Sequence, residues 1–162
     1  MAPTRETTDC RLLDRAIALA AAVSADGAAG PFGAVVARGE EVLGEGWNRV
    51  VGQHDPTAHA EIVAIRAACH ALGDHALTGC TLYSSCEPCP MCLGAIYWAR
   101  IDRVVYASTR ADAAGAGFDD ARIYDELARP EAERSIEMMR IERPRAGQTL
   151  ADWARNPHRQ GY

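Results

Sequence analysis

The stretch from Thr81 to Cys92, TLYSSCEPCPMC, leaves the backbone few choices. Thr81-Leu82-Tyr83 reads as a short strand that runs into Ser84-Ser85-Cys86-Glu87-Pro88. Pro90 has no N–H, so a helix from Cys89 to Arg100 can hold it only in the first turn, where that donor lacks an intrahelical partner in any case. The segment is therefore a strand-to-helix junction with Cys89 and Cys92 at the start of the helix. A Cys-x-x-Cys pair in this position puts two sulfurs on one face about one turn apart, and the partial positive charge of the helix terminus favours their thiolates.

A second helix start carries the complementary residues. His59 to Leu72 repeats apolar side chains at helical spacing (Ile62, Ile65, Ala68, Cys69, Leu72) and stops at Gly73, and it opens on His59-Ala60-Glu61. Elsewhere, residues 9–25 read as an amphipathic helix. Phe32 to Val36 and Glu41 to Trp47 read as strands joined by a turn at Arg38-Gly39-Glu40. Residues 48–58 are irregular, and Arg103 to Ala107 is a strand. A helix is expected over Asp119 to Ala128, a last strand over Ser135 to Ile141 and a short helix over Leu150 to Arg155. Alternation of helices and strands argues for an α/β sandwich around one sheet. The 162 residues suit a single domain, with the Pro-, Gly- and Arg-bearing segment from Pro144 as the part able to leave the body.

Six cysteines are present, and Cys80, Cys86, Cys89 and Cys92 fall within thirteen residues. In a reducing compartment such a cluster binds metal or does chemistry more readily than it forms disulfides. Cys10, Cys69 and Cys80 read as small buried apolar groups, and His54, His70, His75 and His158 as surface residues. All 17 basic side chains are Arg, so Schiff-base chemistry through lysine and a phosphate-loop lysine are excluded. The net charge of −5 disfavours nucleic acid as a partner, because a non-specific binder needs a basic footprint. No apolar run approaches the ~20 residues of a membrane span, so no membrane partner is expected. Asp9 and Asp14 interrupt the first apolar stretch, which removes a signal-like pattern and points to the cytoplasm.

His59, Cys89 and Cys92 form a plausible ligand set for Zn²⁺. Three protein ligands leave the fourth tetrahedral position for water, the layout of a catalytic site. Glu61, two residues from a ligand, can reach that water and move its proton without binding the metal. The competing arrangement is a closed structural site that adds Cys86 as fourth ligand, in a zinc-stabilised binding module without catalysis; such a site has no use for Glu61.

His59-Ala60-Glu61 and Pro88-Cys89-Pro90-Met91-Cys92, with 26 residues between Glu61 and Pro88, resemble the signature of the zinc-dependent cytidine and nucleobase deaminases. Pro31 to Val35, Asp55 to Glu61, Ser85 to Arg100, Asp112-Ala113-Ala114 and Gly117-Phe118-Asp119-Asp120 further resemble the bacterial guanine deaminase branch. The resemblance implies a three-layer α-β-α sandwich with a central five-stranded mixed sheet. It implies one zinc per subunit on His59, Cys89 and Cys92, and Glu61 as proton shuttle, with Cys86 outside the ligand set. It implies hydrolysis of the C2 amine of guanine, a small-molecule purine. Phe32 and Trp98 would wall the base, Asn48 would hydrogen-bond it and His59 would lend a ring face. Asp120, beside Asp119, would sit near the ring N–H or leaving amine, and Tyr162 would lie near the closed site. It also implies a homodimer that exchanges residues 144–162. Guanosine, another guanine-like base, cytosine or adenosine in tRNA are the alternative substrates within the same fold.

Overall fold

The structure, a computed structural model, describes residues 4–161. It separates into two compact units, divided after Asp120.

The first unit begins with helix α1 (Arg5–Ser24), then strands β1 (Gly33–Arg38) and β2 (Glu41–Trp47) and the one-turn helix α2 (Val50–Gln53). Helix α3 (Ala60–Leu72), strand β3 (Thr81–Cys86), helix α4 (Pro90–Trp98), strand β4 (Arg103–Ser108) and the short helix α5 (Arg110–Gly115) follow. The sheet is mixed and has the order β2-β1-β3-β4. β1 runs antiparallel to β2 and β3, and β3 runs parallel to β4.

Alternation along β1 and β3 sends side chains to two separate apolar layers. Val35, Ala37 and Tyr83 pack against Leu12 and Ala16 of α1. Ala34, Val36 and Leu82 pack on the other face against Ala60, Ala64, Ile65 and Ala68 of α3 and Ile96 of α4. This unit is thus helix, sheet, helix, with both motif-bearing helices on one side. α3 lies very close to β2. A Cβ at Gly44 would sit 2.5 Å from the Ala64 carbonyl oxygen, and one at Gly46 would sit 2.2 Å from that of Ala60. Two glycines opposite a row of alanines let helix and strand backbones touch, and this contact sets where α3 begins.

Several elements differ from expectation. α1 starts four residues before Asp9 because the Thr4 hydroxyl accepts from the Thr7 N–H and caps it. β3 continues through Ser84, Ser85 and Cys86, since pairing with β1 and β4 on both sides overrides the weak strand preference of serine. Helix α5 was not read from the sequence. Thr109 and Asp112 form a reciprocal capping box that starts it. Cys10 is exposed on α1 rather than packed inside, whereas Cys80 is buried and Cys69 half-buried. His54, His70, His75 and His158 are all exposed.

The second unit contains helix α6 (Ala121–Ala128), a 3-10 turn (Glu131–Glu133) and helix α7 (Pro144–Arg155). α7 starts six residues before Leu150, with Pro144 in its first turn. Glu126 organises the unit's middle. Its Oε2 accepts from the Ser135 N–H at 2.6 Å, and its carbonyl accepts from the Arg134 guanidinium. The strand expected over Ser135–Ile141 does not form, and the sheet has four strands among the described residues. The segment has no ladder partner, and Ile136, Met138, Met139 and Ile141 remain exposed. No helix among the described residues is long and apolar enough to cross a membrane.

Candidate active site

α3 and α4 start beside one another, and His59 and Cys89 are their N-caps. Neither residue bonds its own helix through its side chain. Both side chains are therefore directed elsewhere, and the positive ends of two helices converge on the same point. His59 Nδ1 lies 3.6 Å from Cys89 Sγ and 3.6 Å from Cys92 Sγ. The three ligand atoms all fall within 4.8 Å of one another. Zinc bonded at about 2.3 Å to sulfur and 2.0–2.1 Å to nitrogen in a tetrahedron separates S from N by roughly 3.6 Å. The residues thus fit the metal before it binds. Cys86 does not join them; its Sγ donates to the Thr109 carbonyl at 3.5 Å.

The electrostatics follow from this crowding. The two thiols share a hydrogen bond. Cys89, which accepts it and also gains from His59, is held down to about 4. Cys92, which donates it and is buried, is pushed far up. The His59 imidazole is pushed up by its hydrogen bond with Cys89. A divalent cation among these groups favours both thiolates and the neutral imidazole, so metal uptake releases protons.

Glu61 stands in the first turn of α3 and is only 6% exposed. Burial pushes its carboxyl up, and the nearby Cys89 thiolate adds to the effect. A raised carboxyl accepts and returns a proton near neutral pH more readily than an exposed one. Its Oε1 accepts from the Ser84 hydroxyl at 3.4 Å. Ser84 was invisible as a site residue, because a serine inside a strand carries no motif.

The other expected residues are placed unevenly. Phe32 immediately precedes β1 and accepts the Asn48 N–H at its carbonyl, which ties the two together. Asn48 is buried, and its Oδ1 accepts from the Val50 N–H. The Phe32 ring meets Phe118 edge to face, with centroids 4.9 Å apart. Phe118 was quoted only as part of a motif; its contact brings the Gly117–Asp120 segment up to Phe32. Burial pushes the Asp120 carboxyl up, and the Cys89 charge adds to the effect. Asp119 is exposed. Trp98 stands at the far end of α4 and is 62% exposed. Tyr162 lies outside the described residues.

Residues 6–108 match the family model of the cytidine and deoxycytidylate deaminase zinc-binding region. A guanine deaminase of Bacillus subtilis is 53% identical over 129 residues, which is 80% of this chain and 83% of that one. A tRNA-specific adenosine deaminase of Haemophilus influenzae is 38% identical over 128 residues, 75% of this chain and 73% of that one. A crystal structure of guanine deaminase from Bacillus subtilis shares 44% identity and superposes with a TM-score of 0.91, covering 99% of both chains.

Proposed function

The chain belongs to the cytidine and deoxycytidylate deaminase family of zinc-dependent hydrolases, and we propose that it converts guanine and water to xanthine and ammonia. The observation that carries the substrate is the extent of the likeness to a guanine deaminase, which runs far beyond the zinc-binding region.

His59, Cys89 and Cys92 hold the zinc, as their spacing supports. Zinc, when bound, acts as a Lewis acid that lowers the pKa of water toward ~7. Glu61 takes a proton from the water and hands it to a ring nitrogen as the water oxygen bonds to C2; it then takes the remaining hydroxyl proton and hands it to the amine as the C2–N bond breaks and ammonia leaves. Its buried, raised carboxyl suits both directions of transfer. Phe32 and the His59 ring sandwich the flat base, and the Asn48 amide reads an edge. Asp120 accepts from the ring N–H or the leaving amine, with Asp119 beside it. Trp98 and Tyr162 complete the enclosure.

The working unit is a homodimer of a cytoplasmic enzyme, in which residues 144–162 of one copy close the site of the other. The second unit supports this reading through apolar side chains that face solvent, including Ile123, Leu127, Leu150 and Trp153. Ser135–Ile141 remains the candidate for a fifth strand of the sheet. β4 is an edge strand in the four-stranded order, and an edge offers unpaired backbone groups.

An ammonia-release assay of the zinc-loaded enzyme across guanine, guanosine, adenine, cytosine, cytidine and tRNA tests the substrate. Guanine should be turned over with a higher kcat/KM than every other compound. Turnover of guanosine or tRNA with guanine inert would overturn the reading.

A further inference from the structure

We propose that Ser84 is a positioning residue that holds the Glu61 carboxylate for proton transfer. The inference rests on the reading of Glu61 as the shuttle.

Ser84 sits on β3, where its backbone is paired with Ala34 on one side and Tyr106 on the other. It is 2% exposed. A side chain on a strand laddered on both edges has a fixed direction, so the hydroxyl is a rigid anchor. Glu61, by contrast, carries its carboxylate on three rotatable bonds at the start of a helix. A buried hydroxyl and a buried carboxylate each need partners; here the Ser84 hydroxyl donates to the carboxylate, which also meets the Cys92 side chain and its own backbone N–H. The bond donates to Oε1 at 3.4 Å, a length typical of catalytic contacts before substrate engages. Anchoring Oε1 to a rigid hydroxyl restricts how the carboxylate can turn.

The neighbouring polar side chains show that this partnership is specific. Ser85 accepts from the Gly33 N–H at 3.0 Å, and the Cys86 thiol meets the Thr109 carbonyl. Both of those brace the backbone. Of the three, Ser84 is the one directed at an ionisable side chain, and it links β3 to α3 at the position where the chemistry is proposed.

The test is Ser84→Ala, which removes the donor and little volume, with Ser84→Thr as the conservative partner. In Ser84→Ala, kcat should fall roughly 10- to 100-fold, as for loss of one hydrogen bond to a charged group. KM should stay within about twofold, because the substrate contacts are untouched. Zinc content should match the parent enzyme, and Tm should fall by no more than several degrees, as for one lost buried hydrogen bond. Ser84→Thr should return most of the lost kcat; if its added methyl prevents folding, the kcat-against-KM split of Ser84→Ala decides. Unchanged kcat in Ser84→Ala, loss of zinc or of the folded state along with activity, or a folded, zinc-loaded Ser84→Thr as slow as the alanine variant would each overturn the proposal. Glu61→Gln is measured in parallel. If it turns over normally, the reading of Glu61 fails and takes this one with it. If it is inactive while Ser84→Ala is not impaired, only the role of Ser84 falls.

Discussion

The roles of individual residues here depend on which backbone terminus or strand presents them. Two N-cap positions, His59 and Cys89, turn their side chains away from their own helices and toward each other, and Cys92 joins them one turn on. This explains why these residues were legible in the sequence: the chemistry needs those residue types at a spacing that only a helix start supplies. Cys86 has the same chemistry and the wrong direction. Because its sulfur is engaged by Thr109, Cys86→Ala should retain a full equivalent of zinc, whereas Cys92→Ala should lose the metal. Metal analysis after dialysis against a weak chelator reads both outcomes, and zinc loss from Cys86→Ala would restore the closed structural site. Glu61→Gln should likewise keep its zinc yet lower kcat by about 10²–10⁴-fold, the usual contribution of a positioned acid-base group. Ser84 and Phe118 were not legible, since a strand serine and an exposed phenylalanine become informative only once their partners are known.

At the scale of elements, the site depends on how closely α3 can approach the sheet. The helix backbone touches β2 at Gly44 and Gly46, and its first residue follows a metal ligand. Gly46→Ala should therefore cost about 1–3 kcal/mol or more through overpacking and also weaken zinc retention. Denaturant unfolding and metal content, measured together, check this; normal stability with full zinc would show that α3 can shift freely. On the opposite face, Asp9 of α1 takes two bonds from the Arg103 guanidinium, at 2.8 and 2.6 Å, and one from the Tyr83 hydroxyl at 2.8 Å. These hold its carboxyl down to about 2, against 3.8 unperturbed, chiefly through the Arg103 hydrogen bonds. A depressed carboxyl stabilises the fold above its unfolded value and loses that stabilisation as pH falls through its folded value. Between about pH 4 and 2 the parent should lose about 1–2 kcal/mol that Asp9→Asn does not lose, the figure being reduced for partial exposure of the pair. Unfolding curves across that range provide the comparison. Most helices and strands were legible from periodicity and punctuation. β3 was read too short because its serines mask a strand fixed by two neighbours, and α5 was overlooked although Thr109 and Asp112 stand at capping-box spacing.

For the whole molecule, charge and exposed apolar surface point to different partners. A net charge of −5 gives no advantage in gathering a polyanion, and guanine is a small, nearly neutral base. Its kcat/KM should change little as salt is raised, whereas activity carried by tRNA would fall steeply with salt. The second unit, however, leaves Ile136, Met139, Leu150 and Trp153 exposed. Apolar surface of this kind is what the proposed exchange between copies would cover. Ser135–Ile141 reads as a strand in sequence yet forms no ladder among the described residues. If residues 144–162 are exchanged between copies, deleting 157–162 should impair turnover in the deleted protein. Mixing should then rescue it. When Glu61→Gln chains and deleted chains are unfolded and refolded together in equal amounts, half of the dimers are mixed. In each mixed dimer one site has an intact Glu61 and a tail from its partner, so roughly a quarter of all sites should work although neither parent does. Recovery near that level, dependent on co-refolding, would show that the segment acts in trans. Full activity of the deleted chain alone would remove any role for its last residues, and an inactive mixture would confine the segment's action to its own chain.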